Sequence, residues 1–422
     1  MGRTEFIRRL EYGLGNINAG AKREILADFG EHFDAALAGG KNEEEICEIL
    51  GDPDEIAREF VSDYRAAGQE TDRFSEERFA NAPAAPVAPV APVVPAGGIN
   101  KIKIEAISCD LYFTGENTDS ISAEFDGDCR ERFVTEISGG VYYVKEKAFK
   151  QLSDNLLGRL ASFAVRRDAK MRITVPRGFA GEIEATTASG DAGVKDLPSL
   201  GSLSLKTASG DIEISSVISS GAVSLLSGSG DIEAVNAGSE GAINLKTGSG
   251  DVALRKCGAE TINTSSGSGD IESDGSRGII YAKTGSGGIE ILNHSGTAEG
   301  KTGSGDIDVK TDELKTALEY STGSGDIRIE CENLSADLKM TSGSGDIFLR
   351  AARVSADVAA KTWSGNIGAE FGRGCNLRFE LKAGRNGRKR NGFDETGSRQ
   401  YAEPARKVSF ETNTGDIEIK SI

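Results

Sequence analysis

Carboxylates recur through the C-terminal half of this chain at a spacing that could set them in a row. Ser209-Gly210-Asp211-Ile212, Ser229-Gly230-Asp231-Ile232 and Ser249-Gly250-Asp251-Val252 repeat one core, which returns at Asp270, Asp306, Asp326 and Asp346. If the intervening residues stack, these side chains fall on one line at strand spacing, and a line of like charges invites a bound cation such as calcium. Two positions argue otherwise. Where the Asp is missing the sequence has Gly288 and Asn366, which share a tolerance for turns and no negative charge. The preferred reading is an Asx-type structural turn, with the Ser two residues earlier bonding locally, and a cation column is the lesser alternative. The repeated serines have no recurring general base beside them and make poor nucleophiles. His32 and His294 are the only histidines among 422 residues, so a His-based triad or metal site would rest on one of them. No catalytic residue and no cofactor are expected.

The elements that must carry this column are short strands. Leu203, Leu205 and Thr207 alternate with polar residues before the turn, and Ile212 and Ile214 alternate after it; Val223 and Leu225, then Ile243 and Leu245, follow the same scheme. Period-2 alternation puts one face in and one out on each strand. A repeat of about 20 residues that cannot bury its own apolar face must stack on its neighbours. The expected fold is mainly β: a single-chain parallel β-solenoid, with SGD repeats over residues 188–371 and rungs about 4.8 Å apart. Parallel rungs leave open sheet edges, so residues 99–187 and 372–422 are expected to cap the ends. The first of these holds strand-like segments and one amphipathic run, Leu152, Leu156, Leu160 and Phe163. The second holds 10 Lys/Arg against 4 Asp/Glu between Gly372 and Val408. Arg385, Arg388, Lys389 and Arg390 there are read as a solvated hairpin loop, with an anion contact as the alternative.

Before the solenoid, prolines at 83, 86, 89, 92 and 95 recur every third residue, which favours an extended polyproline II spacer over residues 67–98. Residues 1–66 read as short helices with 15 acidic and 8 basic side chains. Phe6, Ile7 and Leu10 mark the first; Ile25, Phe29, Phe33 and Leu37 form an apolar stripe on the second. Asn42 and Glu45 make a capping box for the third. At Leu50-Gly51-Asp52-Pro53, Gly51 stops one helix, Asp52 caps the next, and Pro53 sits where its missing N–H costs nothing.

The run ILADFGEHFDAALAGGKNEEEICEILGDPDEIAREFVSDY, with its Leu50-Gly51-Asp52-Pro53 junction, resembles the small helical signalling domain HAAS, or DUF1700. That resemblance implies a protein partner, a PadR-like transcription regulator being the expected kind. Residues 99–422, with their SGD rungs and the closing Thr414-Gly415-Asp416-Ile417-Glu418-Ile419, resemble the DUF4097 adhesin-like repeats, which implies an adhesin role.

Composition bounds what remains. A net charge of −17 argues against a general nucleic-acid surface, which needs clustered Lys and Arg. The cysteines (Cys47, Cys109, Cys129, Cys257, Cys331 and Cys375) form no CxxC pair, which suits a reducing compartment better than a secreted disulfide framework. No signal peptide and no apolar run of about 18 residues is visible, so the expected location is the cytoplasm. The expected function is non-enzymatic: a signalling or scaffold protein whose head binds a protein and whose solenoid presents a long surface. An envelope-associated adhesin or polymer-binding protein and a cation-stabilised rod are the alternatives. Pairing of solenoid edges between copies is a further expectation.

Overall fold

The computed structural model describes residues 2–14, 26, 43, 53, 54, 57, 94–147, 169–315, 318–384, 387–392 and 405–422. Several expectations lie outside them: the Asn42–Glu45 capping pair, Leu50, Gly51 and Asp52, the prolines from 83 to 92, the run at 152–163, and Arg385. The chain divides into two units, residues 1–87 with 148–165 and residues 88–147 with 166–422.

In the first unit an α-helix spans Arg3–Gly13 and buries Phe6 and Leu10, three turns of one stripe ending at a glycine. Pro53, Asp54 and Ala57 are helical as well, with Pro53 buried. Arg9 forms an ion pair with Asp54, and a Cβ on Gly13 would fall 2.5 Å from that of Ala57. The close approach of these two helical segments therefore depends on Gly13 and on the residues just after the LGDP junction.

The second unit is the expected solenoid. Each rung has a first strand such as Ser202–Thr207, the SGD turn, and a second strand such as Ile212–Ser219. Burial alternates along both, so Leu203, Leu205, Ile212 and Ile214 face inward. First strands stack on first strands, in parallel and in register: Leu203 opposes Ile183 and Val223, and Val223 opposes Ile243. Aliphatic side chains thus stack into interior columns, which is how short rungs bury a continuous core that none could bury alone. A corner breaks the second strand at Asp196 and Ser216 and follows it at Asn236, Lys256 and Asn293, all at positive φ. Four are Asp, Asn or Ser, types whose short polar side chains suit turns.

Among the described residues each main ladder holds fourteen strands, giving a stack of about 60 Å at strand spacing. The stack is longer than its SGD motifs because both expected caps contribute rungs. At the N-terminal end Lys101–Glu105 and Cys109–Glu116 form the second layer. The outermost layer comes later in the chain, from Val141–Glu146 and Ala169–Pro176, and Glu182–Thr187 then returns to the inner side. The C-terminal end mirrors this. Arg406–Thr412 and Ile417–Ser421 sit between the rung of Val358–Thr362 and an outermost layer of Leu377–Ala383 and Lys389–Asn391. The stretch read as a hairpin loop at Lys389 and Arg390 is therefore a strand.

Antiparallel strands close the N-terminal edge. Ser120–Phe125 pairs outside Ala169–Pro176, Phe133–Ser138 pairs outside Val141–Glu146, and Val94–Pro95 pairs with Ser120 and Ile121. The sheet thus begins inside the stretch read as tether. At the other end no described strand pairs with the outer edge of Leu377–Ala383.

Candidate functional site: the turn column and the faces beside it

The SGD turns stack into one column, as the spacing implies, and their polar groups join one rung to the next. The Asp211 carboxylate accepts a hydrogen bond from the backbone N–H of Asp231 at 2.9 Å, and Asp231 accepts from Asp251 at 2.7 Å. The same link runs from Asp251 to Asp270, Asp306 to Asp326, and Asp326 to Asp346. Asp346 accepts from Asn366, and Asn366 Oδ1 from Asp416 at 2.9 Å, fifty residues on. An amide oxygen does this as well as a carboxylate, which accounts for Asn366. Gly288 donates its N–H to Asp270 but has no side chain to offer onward, so the column is interrupted there. The bonding is thus between rungs, where the sequence had suggested an Asx bond within each turn.

A second row was not read from the sequence. Thr207 Oγ1 donates to the Gly190 carbonyl of the preceding rung at 3.0 Å and accepts from the Gly210 N–H at 2.9 Å. Ser227 and Thr247 do the same, and the row continues through Ser266, Thr284, Thr302, Thr322, Ser342 and Thr362 to Thr412. These hydroxyls are buried, whereas Ser209, Ser229 and Ser249 of the motif are exposed. The local bond assigned to the motif serine belongs to the Ser or Thr two residues before it. The signal was visible: a hydroxyl residue stands three places before nearly every turn glycine. Thr247→Val keeps the shape, orphans the Gly230 carbonyl and Gly250 N–H, and is expected to cost about 1–2 kcal/mol in denaturant unfolding; an unchanged midpoint would remove this row from the stabilising set.

At the N-terminal end Ser108-Cys109-Asp110 stands where later rungs have Ser-Gly-Asp, and Asp110 accepts from the Asp191 N–H at 3.0 Å. The turn is capped by the buried Glu146, whose carboxylate takes the Ile107 N–H at 2.6 Å and pairs with Arg132 at 2.5 Å. Of the basic group at the other end, Arg388 gives its backbone N–H to Asp416, Lys389 reaches the Leu381 carbonyl, and Arg390 lies 3.8 Å from Glu418. These three sit on the outermost layer and are partly committed to it.

His294 is buried, with Nε2 3.1 Å from the Gly278 carbonyl and 3.0 Å from that of Thr297. Both are acceptors, so Nε2 carries the proton. Nδ1 has no hydrogen-bond partner among the described residues, and burial pushes the imidazole pKa below its usual 6.5. The unfolded chain therefore binds a proton below pH 6.5 that the folded chain refuses, so stability falls as pH drops through 6.5 and levels off below the folded pKa. His294→Gln is expected to flatten that part of the stability profile, read by urea unfolding across the range; an unaltered slope would exclude His294 as its source. The imidazole has no acid–base partner placed to use it.

Elsewhere the ionisable groups form surface ladders. Glu319 bridges Lys301 and Lys339 of the two neighbouring rungs at 2.8 Å each, which lowers its pKa to about 2. Tyr143, Lys145 and Lys103 likewise hold Glu105 down to about 2. Cys109, Cys257, Cys331 and Cys375 are free thiols, all buried, and burial pushes Cys331 up to about 12, so it is inert as a nucleophile. Among the described residues no cluster of three or more His, Cys, Asp or Glu could hold a metal ion, and no helix is long and apolar enough to cross a membrane.

A parallel solenoid whose motif residues are consumed in holding rung to rung, with its other polar side chains turned outward, defines a repetitive binding body. The chain belongs to the Toastrack DUF4097 family, whose pattern matches residues 99–278 and 241–367; residues 5–59 match the HAAS domain. No curated protein matches the chain. Similar solved structures include a protein from Clostridium sporogenes provisionally named for cell adhesion, 10% identical, covering 80% of this chain and 100% of its own, with a TM-score of 0.24. A provisional adhesin from Bacteroides fragilis is 13% identical, covers 80% and 99%, and has a TM-score of 0.25. A provisional lipid-binding protein from Parabacteroides distasonis is 12% identical, covers 81% and 98%, and has a TM-score of 0.26.

Proposed function

We propose that this chain is a non-enzymatic adaptor. In this reading residues 1–66 dock a protein, a PadR-like transcription regulator being the favoured kind, residues 67–93 act as spacer, and the solenoid offers an extended ligand surface without contacting nucleic acid directly. The observation that carries it is the fate of the motif residues. The Asp and Ser/Thr columns spend their hydrogen bonds between rungs, so the repeats build a scaffold and leave function to the outward side chains. A cation-stabilised rod is disfavoured for the same reason, since one oxygen of each bonded carboxylate already holds a backbone N–H. The outer edge of Leu377–Ala383, unpaired among the described strands, is where a second copy would add. A regulator as partner points to the cytoplasm, and the HAAS match favours that compartment.

The test is crosslinking in the native cell, followed by identification of what co-purifies with the full chain and with a copy lacking residues 1–66. A regulator lost together with the head supports the reading. A regulator retained by the headless copy sinks the assignment of docking to the head. A second reading, an envelope-associated polymer-binding protein, draws support from the distribution of charge over the solenoid.

A further inference from the structure

The outward charges of the solenoid are sorted by face. Along the ladder of first strands, the segments at 202–207, 222–227, 242–247, 261–266 and 279–284 contain no Asp or Glu, in a chain with 66 of them. They are contiguous and in register. Acidic residues resume at both ends of this patch, at Glu182 and Glu184 before it and Glu299 after it, and along its corner edge, where Glu240 and Glu260 precede two of the segments. Along the second-strand ladder of the same rungs, Glu213, Glu233, Glu272 and Glu290 point outward on one line beside the Asp column. Solubility or net charge alone would not divide the two ladders so sharply.

The acid-free face carries its cations at a fixed interval. Lys206, Lys246 and Lys283 occupy one register line with Leu226 and Ser265 between them, so a lysine stands on every second rung. All three are exposed. Among the described residues no ion pair engages Lys246 or Lys283, and Lys206 has Glu184 on the diagonal of the neighbouring strand, beyond ion-pair distance. The line beside them is neutral and hydrogen-bonding: Ser204, Ser224, Asn244 and Asn263, with an Asn263–Asn244 amide bond of 2.9 Å. It ends on Tyr281, a residue 43% exposed.

We propose that this five-rung face binds a linear anionic polysaccharide lying along the solenoid axis, with its carboxylates recurring on every second sugar. The proposal rests on the reading of the solenoid as a ligand surface and names the face and the ligand class. A pyranose in an extended chain advances by close to one rung spacing, so alternate acidic sugars meet alternate rungs and fall opposite the lysines. Sugar hydroxyls find the serine and asparagine line, and Tyr281 offers an aromatic face for a sugar ring. Other polyanions fit less well. Single-stranded nucleic acid is held by several stacking aromatics and denser basic charge, and this face has one aromatic. A protein partner would need a cluster of buried anchors. An anionic bilayer is a plane that faces the whole net-negative protein, whereas a thin strand meets only the acid-free strip.

The experiment uses the full chain and hyaluronan oligosaccharides, which carry a carboxylate on every second sugar, with neutral dextran, single-stranded DNA and polyphosphate for comparison. Binding is read by calorimetry at low and at physiological salt. The expected result is binding to hyaluronan that weakens with salt and no binding to dextran. Lys206→Gln, Lys246→Gln and Lys283→Gln together should weaken it about tenfold, with the unfolding midpoint nearly unchanged because these side chains are exposed and make no ion pair among the described residues. Tyr281→Ala should weaken it further. No binding by the wild type, equal binding to DNA or polyphosphate, or full binding by the triple-lysine variant would each overturn the proposal. None of those failures touches the co-purification test, so the adaptor reading stands or falls separately.

Discussion

Glu146→Ala should lower the unfolding free energy of the solenoid by about 3–5 kcal/mol, read as a fall in the urea midpoint of the full chain. The size follows from what the carboxylate does. Its side chain is fully buried, it pairs with Arg132, whose side chain is only 14% exposed, and it accepts the Ile107 N–H. Removing it takes this carboxylate from a largely buried guanidinium and leaves a turn N–H without its acceptor. At the same place in the next two turns the N–H is taken by the backbone carbonyl of the rung before, Ala188 by Ile107 and Ala208 by Ala188; the turn at Ile107 has Glu146 there instead. Glu146→Gln keeps an acceptor for the N–H and loses the charge, so it should fall between the wild type and Glu146→Ala. If the Gln and Ala variants lose the same amount, the ion pair and not the cap carries the effect.

Gly250→Ala should cost at or above the upper end of the about 1–3 kcal/mol typical of overpacking, while Ser249→Ala beside it should stay within about 0.5 kcal/mol of the wild type. A Cβ on Gly250 would lie 2.2 Å from the Gly230 carbonyl oxygen of the preceding rung. Backbone cannot swing aside as a side chain can, so the two rungs would have to separate and weaken the Asp231–Asp251 link beside them. Gly210, Gly230, Gly325 and Gly345 meet their predecessors equally closely. None of these has a positive φ, so the glycine answers to stacking distance and not to turn conformation. Thermal unfolding of the two variants side by side decides the point, and a Gly250→Ala protein as stable as Ser249→Ala would refute it.

How much of this could be read from the chain differs from residue to residue. Leu203, Leu205, Ile212 and Ile214 announce strand, face and rung by their alternation and their return every 20 residues, because stacking forces the same side chain into the same place each time. The Asp column was equally plain in position. Its bonding was not, since a repeat shows what recurs but not whether a recurring group turns to its own rung or to the next. The hydroxyl row at Thr207, Ser227 and Thr247 was legible in principle and was masked by the more exposed serine of the motif. The ends were opaque for another reason. Cys109 replaces the turn glycine in the earliest rung, and the outermost layers come from segments whose place is set by long-range pairing, so no local pattern could place Glu146 beneath Ile107. The acid-free face needed only the register: once the strands are aligned, the empty positions line up.

The insertion of each terminal pair of strands one layer inside the stack bears on how such a protein can change length over generations. A repeat gained at either extremity of the solenoid segment would have to thread between two layers already bonded to each other. A unit duplicated among the uniform rungs, between Thr247 and Asp270 for instance, meets neighbours that offer the same hydrogen bonds it brings. Growth and shrinkage are thereby confined to the interior of the coding sequence, and the two ends persist as fixed brackets around a stretch of variable count.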